Sequence, residues 1–127
     1  MSRFFRFAPL LLLLVLAGCH SAPKAVVWKL ELMTNPSPPV AGAPALFRSL
    51  LLTSQGAPVD GGAAMVALSL PARTGPPVQI RLDPRGNGVY EGRGTLPGAG
   101  DWTATVTMTV KDHTEIRRFP ISVRPPA

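Results

Sequence analysis

The chain is predicted to be all-β: an immunoglobulin-like β-sandwich of about seven antiparallel strands, preceded by a cleaved signal peptide. Three observations predict this. From Trp102 to Val110 the alternation is unbroken, with Trp102, Ala104, Val106, Met108 and Val110 on one face and Thr103, Thr105, Thr107 and Thr109 on the other. Period 2 with β-branched threonines on the polar side is the pattern of a half-buried strand. Similar apolar runs recur along the chain with glycine- and proline-rich turns between them, and no stretch beyond the first eighteen residues shows a helical period.

The N-terminal segment is an address. Met1-Ser2-Arg3-Phe4-Phe5-Arg6 is basic, Leu10 to Leu16 is apolar, and Leu16-Ala17-Gly18-Cys19 follows directly. A basic start, an apolar centre and small residues at the end make a secretory signal peptide. The apolar run is too short for a membrane span, which needs about 20 residues. Leu-Ala-Gly-Cys resembles the bacterial lipobox. That resemblance implies cleavage after residue 18, a diacylglycerol on the Cys19 thiol and a further palmitate-type chain on the new amino group. Cys19 is the only cysteine; an unpaired cysteine in an exported chain needs an explanation, and lipidation supplies one. Two or three acyl chains make a stable anchor, whereas one is marginal. His20 in place of aspartate implies, by the same resemblance, the outer membrane facing the periplasm.

Residues 19–25 then form a lipidated tether that holds the domain close to the membrane. Residues 26–124 form the domain, and 125–127 a disordered tail. The first strand runs from Val26 to Met33, with Trp28, Leu30 and Leu32 on one face and Lys29 and Glu31 on the other. The proline-rich segment Thr34 to Pro44 reads as an extended crossing between sheets, because proline removes ladder donors. A second strand, Ala45 to Thr53, is apolar on both faces apart from Arg48; it is either covered on two sides or carries an exposed patch used for binding. After the turn Ser54 to Gly62, a third strand runs from Ala63 to Leu70 with Ala64, Val66, Leu68 and Leu70 inward. Val78, Ile80 and Leu82 mark a short fourth strand. Asn87-Gly88 supplies the positive φ angles of a tight turn, and the fifth strand, Val89 to Leu96, is anchored by Tyr90. The sixth is the alternating stretch, and Lys111-Asp112-His113 turns into a seventh from Thr114 to Val123, where Ile116, Phe119, Ile121 and Val123 are core candidates. Pro120 inside that run implies an edge or a bulge. The predicted core is Trp28, Leu30, Leu50, Val66, Leu68, Ile80, Tyr90, Trp102, Val106 and Ile121.

Composition narrows the function classes. The formal charge of +6 falls to about +4 once Arg3 and Arg6 leave with the signal, a balance that favours anionic lipid headgroups near the anchor. The arginines are scattered, with little aromatic interleaving, so a nucleic-acid surface is not expected. Catalysis by a nucleophile needs a base and an orienting group beside it. There are two histidines: His20 on the tether and His113 in a hairpin turn with Asp112 beside it; neither has a serine or cysteine in a recognisable elbow, so no enzyme is expected. Copper(I) favours thioether and imidazole donors. Met33, Met65, Met108, His20 and His113 show no close pairing; Met108 lies on the core face of its strand, and no metal site or cofactor is assigned.

An aromatic-x-leucine first strand, the Gln55-Gly56-Ala57-Pro58-Val59 turn, Gly88-x-Tyr90, and Gly100-x-Trp102 before an alternating strand resemble the YtkA-like family, to which the periplasmic part of FixH is similar. The resemblance covers roughly Trp28 to Val123. It implies an immunoglobulin-like fold at the cell envelope, and in some members copper handling or oxidase maturation. Those members often carry a methionine- or histidine-rich segment after the third strand, where this chain has Ser69-Leu70-Pro71-Ala72-Arg73-Thr74-Gly75 and no metal ligand. The resulting expectation is an envelope lipoprotein whose non-catalytic sandwich is a binding or accessory module for another envelope protein. A copper-handling accessory role is the alternative.

Overall fold

Alternation of apolar and small polar residues along a strand gives a pleated sheet one apolar face, which is buried by stacking sheet on sheet. The computed structural model describes residues 28–127. Within them run seven strands: β1 (Trp28–Asn35), β2 (Pro44–Thr53), β3 (Ala63–Ser69), β4 (Val78–Gly86), β5 (Val89–Thr95), β6 (Gly100–Val110) and β7 (His113–Val123). The signal peptide, the tether with Cys19 and His20, and the expected first two residues of strand one lie outside the described residues.

The strands follow the order β1-β2-β5-β4-β3-β6-β7, every neighbour antiparallel. The fold is therefore the expected all-β sandwich. β4 turns the corner between its layers. Val78 to Leu82 pair with β3, whereas Asp83 to Gly86 pair with β5 across a register shift between Pro84 and Gly86. One layer is β1-β2-β5 with the end of β4; the other is β3-β6-β7 with its start. Lettered A to G in chain order, this is the immunoglobulin arrangement of A-B-E-D over C-F-G. Among the described residues the sheet is nearly closed, and β1 and β7 are its two free ends.

Two close approaches explain why particular glycines stand where they do. Gly88 has φ +76° and follows Asn87 at φ 55° in the β4–β5 turn; any Cβ on Gly88 would meet the Leu51 carbonyl oxygen. A Cβ on Gly92 would meet the Arg81 carbonyl oxygen, at the level where β4 passes from one layer to the other.

The proline-rich segment, expected to cross between sheets, instead joins β1 to β2, neighbours in one layer, and only touches the other layer on its way. Val40 forms a parallel bridge to Arg124, with Ala41 N donating to Arg124 O at 2.8 Å and Arg124 N to Pro39 O at 2.9 Å. That contact closes one end of the β1–β7 seam and ties the end of the chain to the fold. Pro125 to Ala127 are exposed and carry no regular structure.

The core between the layers is built from Phe47, Leu51, Leu68, Tyr90, Trp102, Val106 and Met108, all essentially inaccessible. Trp102 Nε1 donates to Gly98 O at 2.9 Å, so the indole fills space without stranding its donor. Leu30, Val66, Leu68, Ile80, Tyr90, Trp102 and Val106 are core residues as expected. Trp28 and Ile121 are only partly buried and pack against the core from its margin.

Two expectations fail. Leu50 points away from the core; the inward residues of β2 are Ala45, Phe47, Ser49 and Leu51. Ile116 points outward and is 53% exposed, because the inward residues of β7 are the odd-numbered ones. Both errors are of parity. In Leu50-Leu51-Leu52 hydropathy carries no alternation, and a buried serine, Ser49, holds the inward position. Its hydroxyl donates to Glu31 O at 3.0 Å, which removes the desolvation cost that would otherwise keep it out.

Candidate interaction surface

The outward turn of Leu50 has a consequence on the far side of β2. Leu46, Leu50 and Leu52 all face out of the β1-β2-β5 sheet, each half-buried by its sheet neighbours. Register places Val89 beside Leu50, Met33 beside Arg48 and Lys29 beside Leu52. Met33 is 47% exposed. No element lies over this face among the described residues. The result is an apolar stripe along β2 that Arg48 interrupts between Leu46 and Leu50, widened by Val89 and Met33 and rimmed by Lys29, Glu31, Glu91 and Arg93.

The rim is organised. Arg48 Nε donates to Glu91 Oε2 at 2.6 Å, and Arg85 Nε lies 3.6 Å from Glu91 Oε1. Glu91 thus holds two guanidinium groups beside the stripe, one from each flanking strand. A small cleft of about 180 Å³ opens at one end, lined by Met33, Thr34, Asn35, Leu46 and Arg48. Apolar centre and charged rim are the usual make-up of a protein-docking surface.

The second outer face, on β3-β6-β7, is different. Register sets Met65 beside Arg81 and Thr107, and Thr107 beside Ile116. Threonines occupy every outward position of β6 from Thr103 to Thr109. Its exposed apolar residues, Met65 and Ile116, are separated by Thr107 and form no continuous stripe.

A third feature sits where β1 and β7 face each other. His113, Glu115 and Arg117 all take inward positions at the start of β7. His113 Nε2 lies 2.9 Å from Glu115 Oε1, Arg117 pairs with the other carboxylate oxygen, and Arg117 Nη2 donates to Trp28 O at 3.3 Å. The Trp28 and His113 rings meet edge-on with centroids 4.4 Å apart. Burial alone would raise the Glu115 carboxyl. The hydrogen bonds and positive charge from His113 and Arg117 outweigh it and hold the group below the usual carboxylate range. Sequence reading passed over this cluster, although His113-x-Glu115-x-Arg117 is a period-2 polar run that puts three titratable groups on one strand face.

Among the described residues the candidate copper donors do not converge, and His20 lies outside them. Met33 lies on one outer face, Met65 on the other, Met108 in the core, and His113 is engaged by Glu115 and Trp28. No group of three or more histidine, cysteine, aspartate or glutamate side chains suited to a metal occurs among the described residues. In comparisons with known proteins, no family model and no curated protein matches the chain.

Proposed function

We propose that this chain is a lipid-anchored protein of the bacterial envelope, held through Cys19 in the outer membrane facing the periplasm, whose sandwich is a non-catalytic docking module for another envelope protein. The observation that carries the reading is the uncovered stripe of Leu46, Leu50 and Leu52 on the outer face of β1-β2-β5. Burying such a leucine fully is worth roughly 1.5–3 kcal/mol. Leu46, Leu50 and Leu52 are half-buried in the free domain, so a partner that covered them would gain part of that amount. The tether supports the same reading. Nine residues from Cys19 to Trp28 span about 30 Å at most, so the module would sample only partners at the membrane surface. The YtkA-like kinship belongs to this proposal and rests on Gly88-x-Tyr90 and Gly100-x-Trp102, where the glycines open strands and the aromatics fill the core. Its copper-handling branch has no convergent donor set in its favour among the described residues.

The test has two arms. Labelled palmitate incorporated into the wild-type chain and lost in Cys19→Ala would support the anchor; no label in either would overturn it. A photo-crosslinking residue at position 50 should yield one discrete adduct with an envelope protein, whereas the same residue at position 105, on the threonine face, should not. Equal labelling from both positions would remove the docking face.

A further inference from the structure

The two free edges of the sheet are not equivalent. We propose that β1 is a pairing edge for a second copy of this chain, the two β1 strands running antiparallel about a two-fold axis at Leu30. The proposal is independent of the anchor and of what covers the leucine stripe.

Backbone direction comes first. Ser49 Oγ reaches the Glu31 carbonyl from β2, so the backbone groups of Glu31 point toward β2. Arg117 reaches the Trp28 carbonyl from the seam side. Alternation along a strand then aims the N–H and C=O groups of Trp28, Leu30, Leu32 and Thr34 at the free edge. Such a row is a template for another strand unless something blocks it.

On β7 something does block it. Arg124 N and O face the seam through their bonds to Pro39 and Ala41, which places the backbone nitrogen of Pro120 on the same side by alternation. Proline has no proton to give, and Arg118 beside it adds a charge with no acidic neighbour across the edge. β1 has no proline or glycine in eight residues, Trp28–Asn35.

Charge then selects the partner and the register. The outward residues of β1 include Lys29 and Glu31, two apart, with Leu30 between them. In an antiparallel pair centred on Leu30, Leu30 meets its own copy, Trp28 meets Leu32, and Lys29 meets Glu31 twice over. Every hydrogen-bonding residue in that register is one whose backbone faces the edge. A centre at Glu31 would set two glutamates face to face. A centre at Leu32 would put Glu31 against Met33 and leave both charges unmatched. Only Leu30 satisfies both backbone parity and charge. Leu52 and Leu50, the cross-strand neighbours of Lys29 and Glu31, would flank the new ion pairs with apolar surface. Arg117 need not leave, because the Trp28 carbonyl has a second lone pair.

The test is a charge swap on the full chain, read by sedimentation equilibrium in density-matched detergent. Wild type should reach twice the chain mass with rising concentration. Lys29→Glu and Glu31→Lys each create two like-charge contacts and should each weaken association by about tenfold. The double variant K29E/E31K restores opposite pairs in reversed order and should associate like wild type. Hydrogen exchange gives an independent readout: the Leu30 and Leu32 amides should gain protection with concentration, and the Ile116 amide on β7 should not. A wild-type chain that stays monomeric overturns the proposal. So does a dimer indifferent to the single swaps, or one that the double swap fails to restore.

Discussion

Arg117 on β7 donates to the carbonyl oxygen of Trp28 on β1 at 3.3 Å, across 89 residues of sequence. The two strands end the sheet on opposite layers. At one end of their seam, backbone bonds from Pro39 and Ala41 to Arg124 join the layers. At the other, a guanidinium stands in for the missing ladder, steadied by Glu115 behind it. Replacing Arg117 by methionine keeps the stem and removes the bond. It should cost about 1 kcal/mol, since a single net hydrogen bond is worth roughly that and Arg117 is partly in solvent. The loss should show in urea unfolding, and amide exchange should rise at the start of β1 and not in β6.

The same cluster makes stability depend on acid. Glu115 titrates below its usual value in the folded chain, so the unfolded chain binds its proton more readily. The group therefore contributes stability that is complete above the ordinary glutamate value of 4.5 and is lost as pH falls through the lower folded value. The urea midpoint of wild type should fall below that pH more steeply than the midpoint of Glu115→Gln. Parallel curves for the two proteins would remove Glu115 as the source.

Tyr90 ties a loop to the core. Its hydroxyl donates to Val59 O at 2.8 Å and accepts from Gly62 N at 3.2 Å, so one fully buried ring holds the second half of the connection between β2 and β3. Asp60, in the same loop, accepts from Gly88 N at 2.7 Å. Tyr90→Phe keeps the packing and leaves both loop groups without that partner. A cost of about 1–3 kcal/mol follows, measurable as a lowered thermal midpoint. Burial pushes the Tyr90 hydroxyl above its usual value, the Gly62 N–H draws it back, and Asp60 adds to the rise. The raised folded value means that Tyr90 contributes stability below pH 10, its ordinary value, and loses it as pH climbs further; Tyr90→Phe should flatten that alkaline limb.

What could be read in the sequence depended on whether alternation was clean. Trp102 to Val110, Ala63 to Leu70 and Val78 to Leu82 alternate without ambiguity, and their inward residues are those expected. Pro120 signalled an edge strand through its missing N–H, and β7 is one. The outer leucine stripe was visible only as two choices, because a run of three leucines has no phase and hydropathy cannot say that Ser49 takes the inward place. The seam cluster was hidden for a different reason. His113, Glu115 and Arg117 are polar residues at inward positions, and their pairing partner Trp28 comes 85 residues before His113, so only the fold brings them together.

Gly92 tests the corner. Its neighbour is the Arg81 backbone, which cannot swing aside as a side chain could, and a Cβ there would collide with the carbonyl oxygen. Gly92→Ala should destabilise by about 1–3 kcal/mol, the range of an overpacked site. Gly98→Ala, with open space around its Cβ position, should be close to neutral. Thermal unfolding of the pair separates crowding at the β4–β5 crossing from a general intolerance of alanine in place of glycine.

Two adjacent leucines decide the parity of β2 and, with it, the proposed docking face. Leu51 is fully buried between the layers, while Leu50 lies on the outer face beside Val89. Leu51→Ala should therefore cost about 2–5 kcal/mol through lost burial and an unfilled cavity. Leu50→Ala removes a half-exposed side chain and should cost under about 1 kcal/mol. Their effects on partner capture should run the other way. Leu50→Ala should reduce crosslinking from a reporter at position 46 in a chain that is still folded, whereas Leu51→Ala should reduce it only in proportion to the unfolded fraction. Equal losses of stability from both would mean that the outer face is covered; a loss of capture that tracks stability in both would mean that the stripe has no partner of its own.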